Sequence, residues 1–148
     1  MTEDIENAVR LTRTFDAPRA VLWRMWTDPA EYAAWYGPDG ARVEVTELDL
    51  RPGGRRVVVM EVETPGGPMR MSFVGEFREV DEPRRLVYTE ATEGHAETWV
   101  ELDLHDEDGR TTVVLTHHGI PAGSPGEAGW AMALDHLAAR LEPQPGGR

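Results

Sequence analysis

The chain has no cysteine and no lysine. The first absence excludes disulfides, thiolate nucleophiles, iron–sulfur clusters and Cys-ligated zinc. The second leaves arginine as the whole basic set of 15 residues, removing Schiff-base chemistry and the phosphate-gripping lysine of a P-loop. Asparagine occurs once (Asn7), isoleucine twice (Ile5, Ile120) and serine twice (Ser72, Ser124). Lys, Asn and Ile use AT-rich codons, so their scarcity points to a GC-rich, bacterial gene. No apolar run approaches the ~18 residues of a membrane span. The start, Met1-Thr2-Glu3-Asp4, is acidic where a secretory signal would be basic, so no membrane insertion and a cytoplasmic location are expected. Positive charge is scarce as well. The 27 acidic residues bring the net charge to −12, which repels a phosphate backbone and speaks against a nucleic-acid partner.

What is present suits one globular domain. The 148 residues are 40% hydrophobic and 28% charged, an ordinary folded composition. Residues 8–15 alternate apolar and polar as a half-buried strand does. Asp16-Ala17-Pro18 then offers a cap and a proline before Val21, Leu22, Met25 and Trp26, and Asp28-Pro29-Ala30-Glu31 has the form of a capping box. Two short helices are predicted there, the second stopped near Gly37-Pro38. From residue 41 the period changes to two. Strands are predicted over 41–49, 55–62, 69–80, 85–91, 95–105 and 110–118, separated by Gly-, Pro- and Asp-rich turns that indicate an antiparallel meander. Ser124-Pro125-Gly126-Glu127 reads as another capping box, and Trp130, Leu134, Leu137 and Leu141 recur at helical spacing behind it. This last helix, of roughly 17 residues, would run about 25 Å, enough to cross a sheet. Residues 1–142 form the expected domain, with 143–148 a tail that has nothing to bury.

Alternation assigns the faces. The side predicted to meet the helix carries Arg56, Val58, Met60 and Val62, then Met71, Phe73, Gly75 and Phe77, then Thr98, Val100, Leu102 and Leu104, and finally Val113, Leu115 and His117. The same set serves a filled core or the wall of a cavity, and periodicity does not separate the two. Arg56 stands out on this face. It would pair with an inward carboxylate such as Glu79 or Glu90, reach solvent at a cavity mouth, or meet an anionic or carbonyl-bearing ligand.

Several motifs, in this order and spacing, carry a resemblance. They are Trp23 through Pro38 (WRMWTDPAEYAAWYGP), Asp49-Leu50-Arg51-Pro52-Gly53-Gly54, Gly75 through Val80 (GEFREV), Pro83 through Thr89 (PRRLVYT), Leu115-Thr116-His117-His118-Gly119 and Gly129-Trp130. The chain resembles the START-like (SRPBCC) superfamily, and within it bacterial proteins of the family named for the activator of heat-shock-protein-90 ATPase. The resemblance implies an α+β helix-grip fold: a curved antiparallel sheet of six to seven strands, two short helices after the first strand, and a long C-terminal helix over a hydrophobic cavity. It implies an apolar small molecule, lipid- or polyketide-like, as partner, with a chaperone as the alternative, and no cofactor. A monomer or weak dimer is expected. Relatives commonly carry an aromatic residue after the Gly-Gly, where this chain has Arg56. The cavity candidates are Trp26, Trp35, Arg56, Val58, Met60, Met71, Phe73, Tyr88, Val100, His117, Trp130 and Leu134.

Catalytic signatures are absent. His95, His105, His117, His118 and His136 form no HxH, HExxH or HxxEH arrangement, so no metal is expected. Asp106-Glu107-Asp108-Gly109 hints at a calcium loop, but aligning Gly109 with the loop glycine puts Leu104 and Leu115 where carboxylates are required. It reads as a hairpin turn. No nucleophile motif surrounds either serine, and Glu97, Glu101 and Asp103 share what reads as a solvated face. An enzyme of cyclase or hydrolase type would have to work with Arg56, Tyr88 and His117, enough for proton transfer or carbonyl polarisation only.

Overall fold

The computed structural model describes residues 7–142. Strand β1 (Ala8–Phe15) leads into helices α1 (Arg19–Thr27) and α2 (Pro29–Trp35). Strands β2 (Arg42–Leu48), β3 (Arg55–Thr64), β4 (Gly67–Asp81), β5 (Arg85–Glu90), β6 (Thr98–Glu107) and β7 (Arg110–His118) follow, and helix α3 (Pro125–Leu141) closes the chain. The seven strands form one antiparallel sheet in the order β1-β7-β6-β5-β4-β3-β2. This is the helix-grip arrangement expected from the sequence. The tail expected over 143–148 lies outside the described residues.

Local chemistry explains most boundaries. The Asp28 carboxylate accepts from the N–H groups of Ala30 and Glu31, capping α2 as expected. Asp16 does not cap α1, whose N-cap is Pro18. Ser124 stands at the N-cap of α3, but its hydroxyl makes no capping bond. Glu127 accepts from the N–H of Gly123, one residue before the N-cap, at 2.7 Å, so neither bond of the expected box forms. At the β6–β7 turn, Asp108 and Gly109 both have positive φ, as a two-residue hairpin requires, in keeping with a turn rather than a calcium loop.

All three helices cover one face of the sheet. The core joins Leu22 and Trp26 of α1, Tyr32 and Trp35 of α2, and Ala133, Leu134 and Leu137 of α3 to Val58, Phe77, Tyr88, Val100, Leu102, Val113 and Leu115 of the sheet. The other face is charged: Arg85 alone binds Glu79, Glu101 and Asp103. A bulge in β4 between Phe77 and Glu79 shifts the register against β5. Beyond it Val80, not Glu79, points inward, and Glu79 joins Arg85 on the outer face. The candidate inward partner Glu79 is thereby removed from Arg56.

Candidate functional site

The sheet carries one row of buried polar groups across neighbouring strands. Arg56 on β3 is 1% exposed and its Nη1 donates to Glu90 Oε2, at the end of β5, at 3.1 Å. Gly75 on β4 lies between them. A Cβ there would stand 1.8 Å from the Thr89 carbonyl oxygen, so no side chain fits, and the guanidinium reaches Glu90 across this bare stretch. It also lies over the rings of Tyr88 (4.0 Å) and Tyr32 (5.0 Å) in cation–π contact. Burial opposes the cation most strongly, but the oxygens of Tyr32, Tyr88 and Glu90 outweigh it and raise the Arg56 pKa. Arg56 stays charged. Burial likewise raises Tyr32, and pushes Tyr88 up to about 12, against the pull of Arg56. The Tyr32 and Tyr88 hydroxyls, Trp26 Nε1 and Arg56 Nη2 are buried without a hydrogen-bond partner among the described residues.

Next in the row, His117 on β7 receives the Trp130 indole N–H at Nδ1, 2.9 Å away. An indole can only donate, so the imidazole proton sits on Nε2, facing Thr98 Oγ1 at 2.8 Å. Thr98 in turn donates to the Glu90 main-chain oxygen at 3.4 Å. Burial, the largest effect, lowers the His117 pKa despite the nearby Glu90. A proton on Nδ1 would also face the Trp130 N–H. His117 is therefore neutral, with both nitrogens engaged. His118 points to the opposite face and stacks on the exposed Trp99 at 4.5 Å.

Between this row and the start of α3 lies a pocket of about 190 Å³. Met60 and Phe73 wall it from the sheet, together with Glu90 and His117, and Gly126, Gly129 and Trp130 of α3 form its roof. The segment Tyr36-Gly37-Pro38 after α2 and Ile120 before α3 form the rim. Gly37 has φ +98°, and a Cβ there would press on Ala41 and Val43, so glycine is required at this bend. The segment is fastened to α3 by His136, whose Nε2 lies 2.6 Å from Asp39 Oδ1. That bond is the main reason the His136 pKa is raised.

Of the twelve cavity candidates, Met60, Phe73, His117 and Trp130 meet at this pocket. Trp26, Trp35, Val58, Tyr88, Val100 and Leu134 lie in the filled core, and the Trp35 indole donates to the Met25 carbonyl at 2.9 Å. Arg56 is held behind Glu90 and does not line the pocket, nor does it reach solvent. Met71 lines a separate surface depression beside Met69, Ala91 and His95. Tyr36, Glu90, Gly37, Pro38, Ile120, Gly126 and Gly129 are wall residues outside those twelve. Glu90 had a signal, since it shares the phase of Tyr88. The glycines had none, because they contribute space rather than a side chain. Among the described residues no cluster of three His, Asp or Glu could hold a metal ion, and no helix is long and apolar enough to cross a membrane.

A gripping sheet with a mostly apolar pocket under the final helix defines a helix-grip protein of START-like architecture. The chain belongs to the family described as Activator of Hsp90 ATPase homolog 1-like protein, whose profile matches residues 16–142. Solved structures agree. A Chromobacterium violaceum protein is 28% identical with a TM-score of 0.83, over 93% of this chain and 99% of its own. An AHSA1 protein of Silicibacter pomeroyi is 26% identical with a TM-score of 0.73, over 90% and 96%. CalU16 of Micromonospora echinospora is 28% identical with a TM-score of 0.69, over 92% and 76%. No curated protein matches the chain.

Proposed function

We propose that the protein binds a small apolar or aromatic molecule in the pocket between the first turns of α3 and the sheet. The observation that carries this reading is the pocket itself: space of about 190 Å³ walled by Met60, Phe73, Tyr36 and Trp130. A dry cavity of about 150 Å³ holds a benzene ring, whereas drug-sized ligands take about 300–1,000 Å³. The volume therefore suits a single substituted ring. A lipid or polyketide would need the Tyr36–Pro38 rim to move. Burying about 200 Å² of apolar ligand surface gains roughly 5 kcal/mol before ordering costs, which sets binding in the millimolar to high micromolar range. Catalysis finds less support, because His117 has no free nitrogen and Arg56 does not reach the pocket.

The test is a toluene titration followed by the Trp130 indole N–H resonance, repeated on Gly129→Leu, whose side chain would fill the pocket. Saturable shifts centred on Trp130 in the wild type, lost in the folded variant, are expected. No saturable shift up to the solubility limit would overturn the reading.

A further inference from the structure

With His117 neutral, Glu90 is the one ionic group among the described wall residues of the pocket, and it is 4% exposed. Its two oxygens are not equivalent. Oε2 accepts from Arg56. Among the described residues Oε1 makes no hydrogen bond, and the neutral His117 Nε2, 3.9 Å away, is already committed to Thr98. A carboxylate oxygen can only accept. His117 offers the pocket nothing, since its two nitrogens are taken by Trp130 and Thr98. The remaining polar wall group, the Tyr36 hydroxyl, can serve either way, and burial keeps it protonated by raising its pKa. The polarity of the pocket is thus set by an acceptor.

We propose that the pocket selects a neutral aromatic ligand carrying an O–H or N–H donor, which hydrogen-bonds to Glu90 Oε1 while its ring packs on Trp130 and Phe73. This rests on the small-molecule reading above and names the class of ligand. An acid is disfavoured because its carboxylate would face that of Glu90 in a buried site. A cation is disfavoured for a different reason: Arg56 at 3.1 Å already balances Glu90, so a second positive charge would be buried without a counter-ion. A neutral donor fills the vacant acceptor and adds no charge. Arg56 has a stated part in this as a positioning residue. It holds the carboxylate by Oε2 and makes no hydrogen bond to Oε1.

Matched ligands decide the matter by calorimetric titration of the full chain. Phenol and anisole share a ring and an oxygen and differ in the donor; benzoate supplies the acid. Phenol is expected to bind at least about tenfold more tightly than anisole, the usual scale of a hydrogen bond to a charged acceptor, with benzoate weakest. In Arg56→Met/Glu90→Met, which removes the charge pair together, the phenol preference should vanish while anisole still binds. Should that variant not fold, the wild-type phenol-to-anisole ratio decides alone. Equal affinities in the wild type, or benzoate the tightest, would overturn this proposal and leave the small-molecule reading standing. Failure of all three to bind would overturn both.

Discussion

Two stretches of α3 rest on the same sheet face and differ in what lies beneath them. Ala133, Leu134 and Leu137, none more than 1% exposed, belong to the filled core with Leu22, Trp26, Trp35 and Leu115. One to two turns earlier, Gly126 and Gly129 present no side chain; Ile120 packs where a Cβ of Gly126 would stand, and the pocket opens beside Gly129. A Cβ at Gly129 would meet nothing within 4 Å, so the space is real at the level of a methyl group. The two regions show that a helix-grip interior is emptied by omission. The sheet supplies inward side chains at both ends, and small residues on the helix decide where they are not met. The polar row of Arg56, Glu90, Thr98 and His117 marks the border between the two.

The largest expected effect breaks the border where it is charged. Arg56→Met leaves Glu90 buried without its counter-charge and should cost about 3–5 kcal/mol, whereas Arg56→Met/Glu90→Met, which removes both charges, should recover most of it. Urea denaturation of the two variants checks this. A single variant as stable as the wild type would show that Glu90 is not held by Arg56.

A middling effect lies on the border. The folded-state pKa of His117 is depressed by burial, so the unfolded chain takes up its proton first as pH falls. The contribution of neutral His117 is complete above the unfolded value of about 6.5 and is lost as pH falls from there toward the folded value, at a slope of up to about 1.4 kcal/mol per pH unit. His136 acts in the opposite sense. Asp39 raises its pKa, so its contribution is present below about pH 6.5 and fades as pH rises through the folded value. It is mostly solvent-exposed on its Asp39 side and is screened. Melting temperatures between pH 7.5 and 5.5 should fall in the wild type and fall less in His117→Gln. Equal slopes would show that His117 titrates freely.

The smallest effect sharpens the open side. Gly129→Ala adds a methyl group to empty space and replaces a poor helix former, so it should stabilise by about 1 kcal/mol, or about 2–4 °C in Tm. A thermal melt measures it. A lowered Tm would mean that the roof of the pocket is already in contact at this position.

Much of this was legible in the residues. Period-two alternation over 110–118 sends His117 inward and His118 outward, and the structure has them so. Alternation in 55–62 turns Arg56 toward the helices, and its buried position agrees. The motifs from Trp23 to Trp130 carried the family and the fold. The caps were half legible: Asp28 caps its helix, while the Ser124 hydroxyl makes no cap bond and Glu127 accepts from Gly123 outside the helix. Whether a cap bond closes turns on local angles that the order of residues leaves open.

Local periodicity and turn chemistry thus determined the elements, their order and the facing of each side chain, because these depend on neighbours a few positions away. The tertiary structure decided the site. A one-residue bulge at Phe77–Glu79 turned Glu79 outward and left Glu90 as the partner of Arg56. Trp130 fixed the tautomer of His117 across the gap between helix and sheet. The pocket exists only where Gly126 and Gly129 come to rest above Met60 and Phe73. An empty volume belongs to no residue. It is the distance left between elements after they pack, and that is set by the whole fold at once.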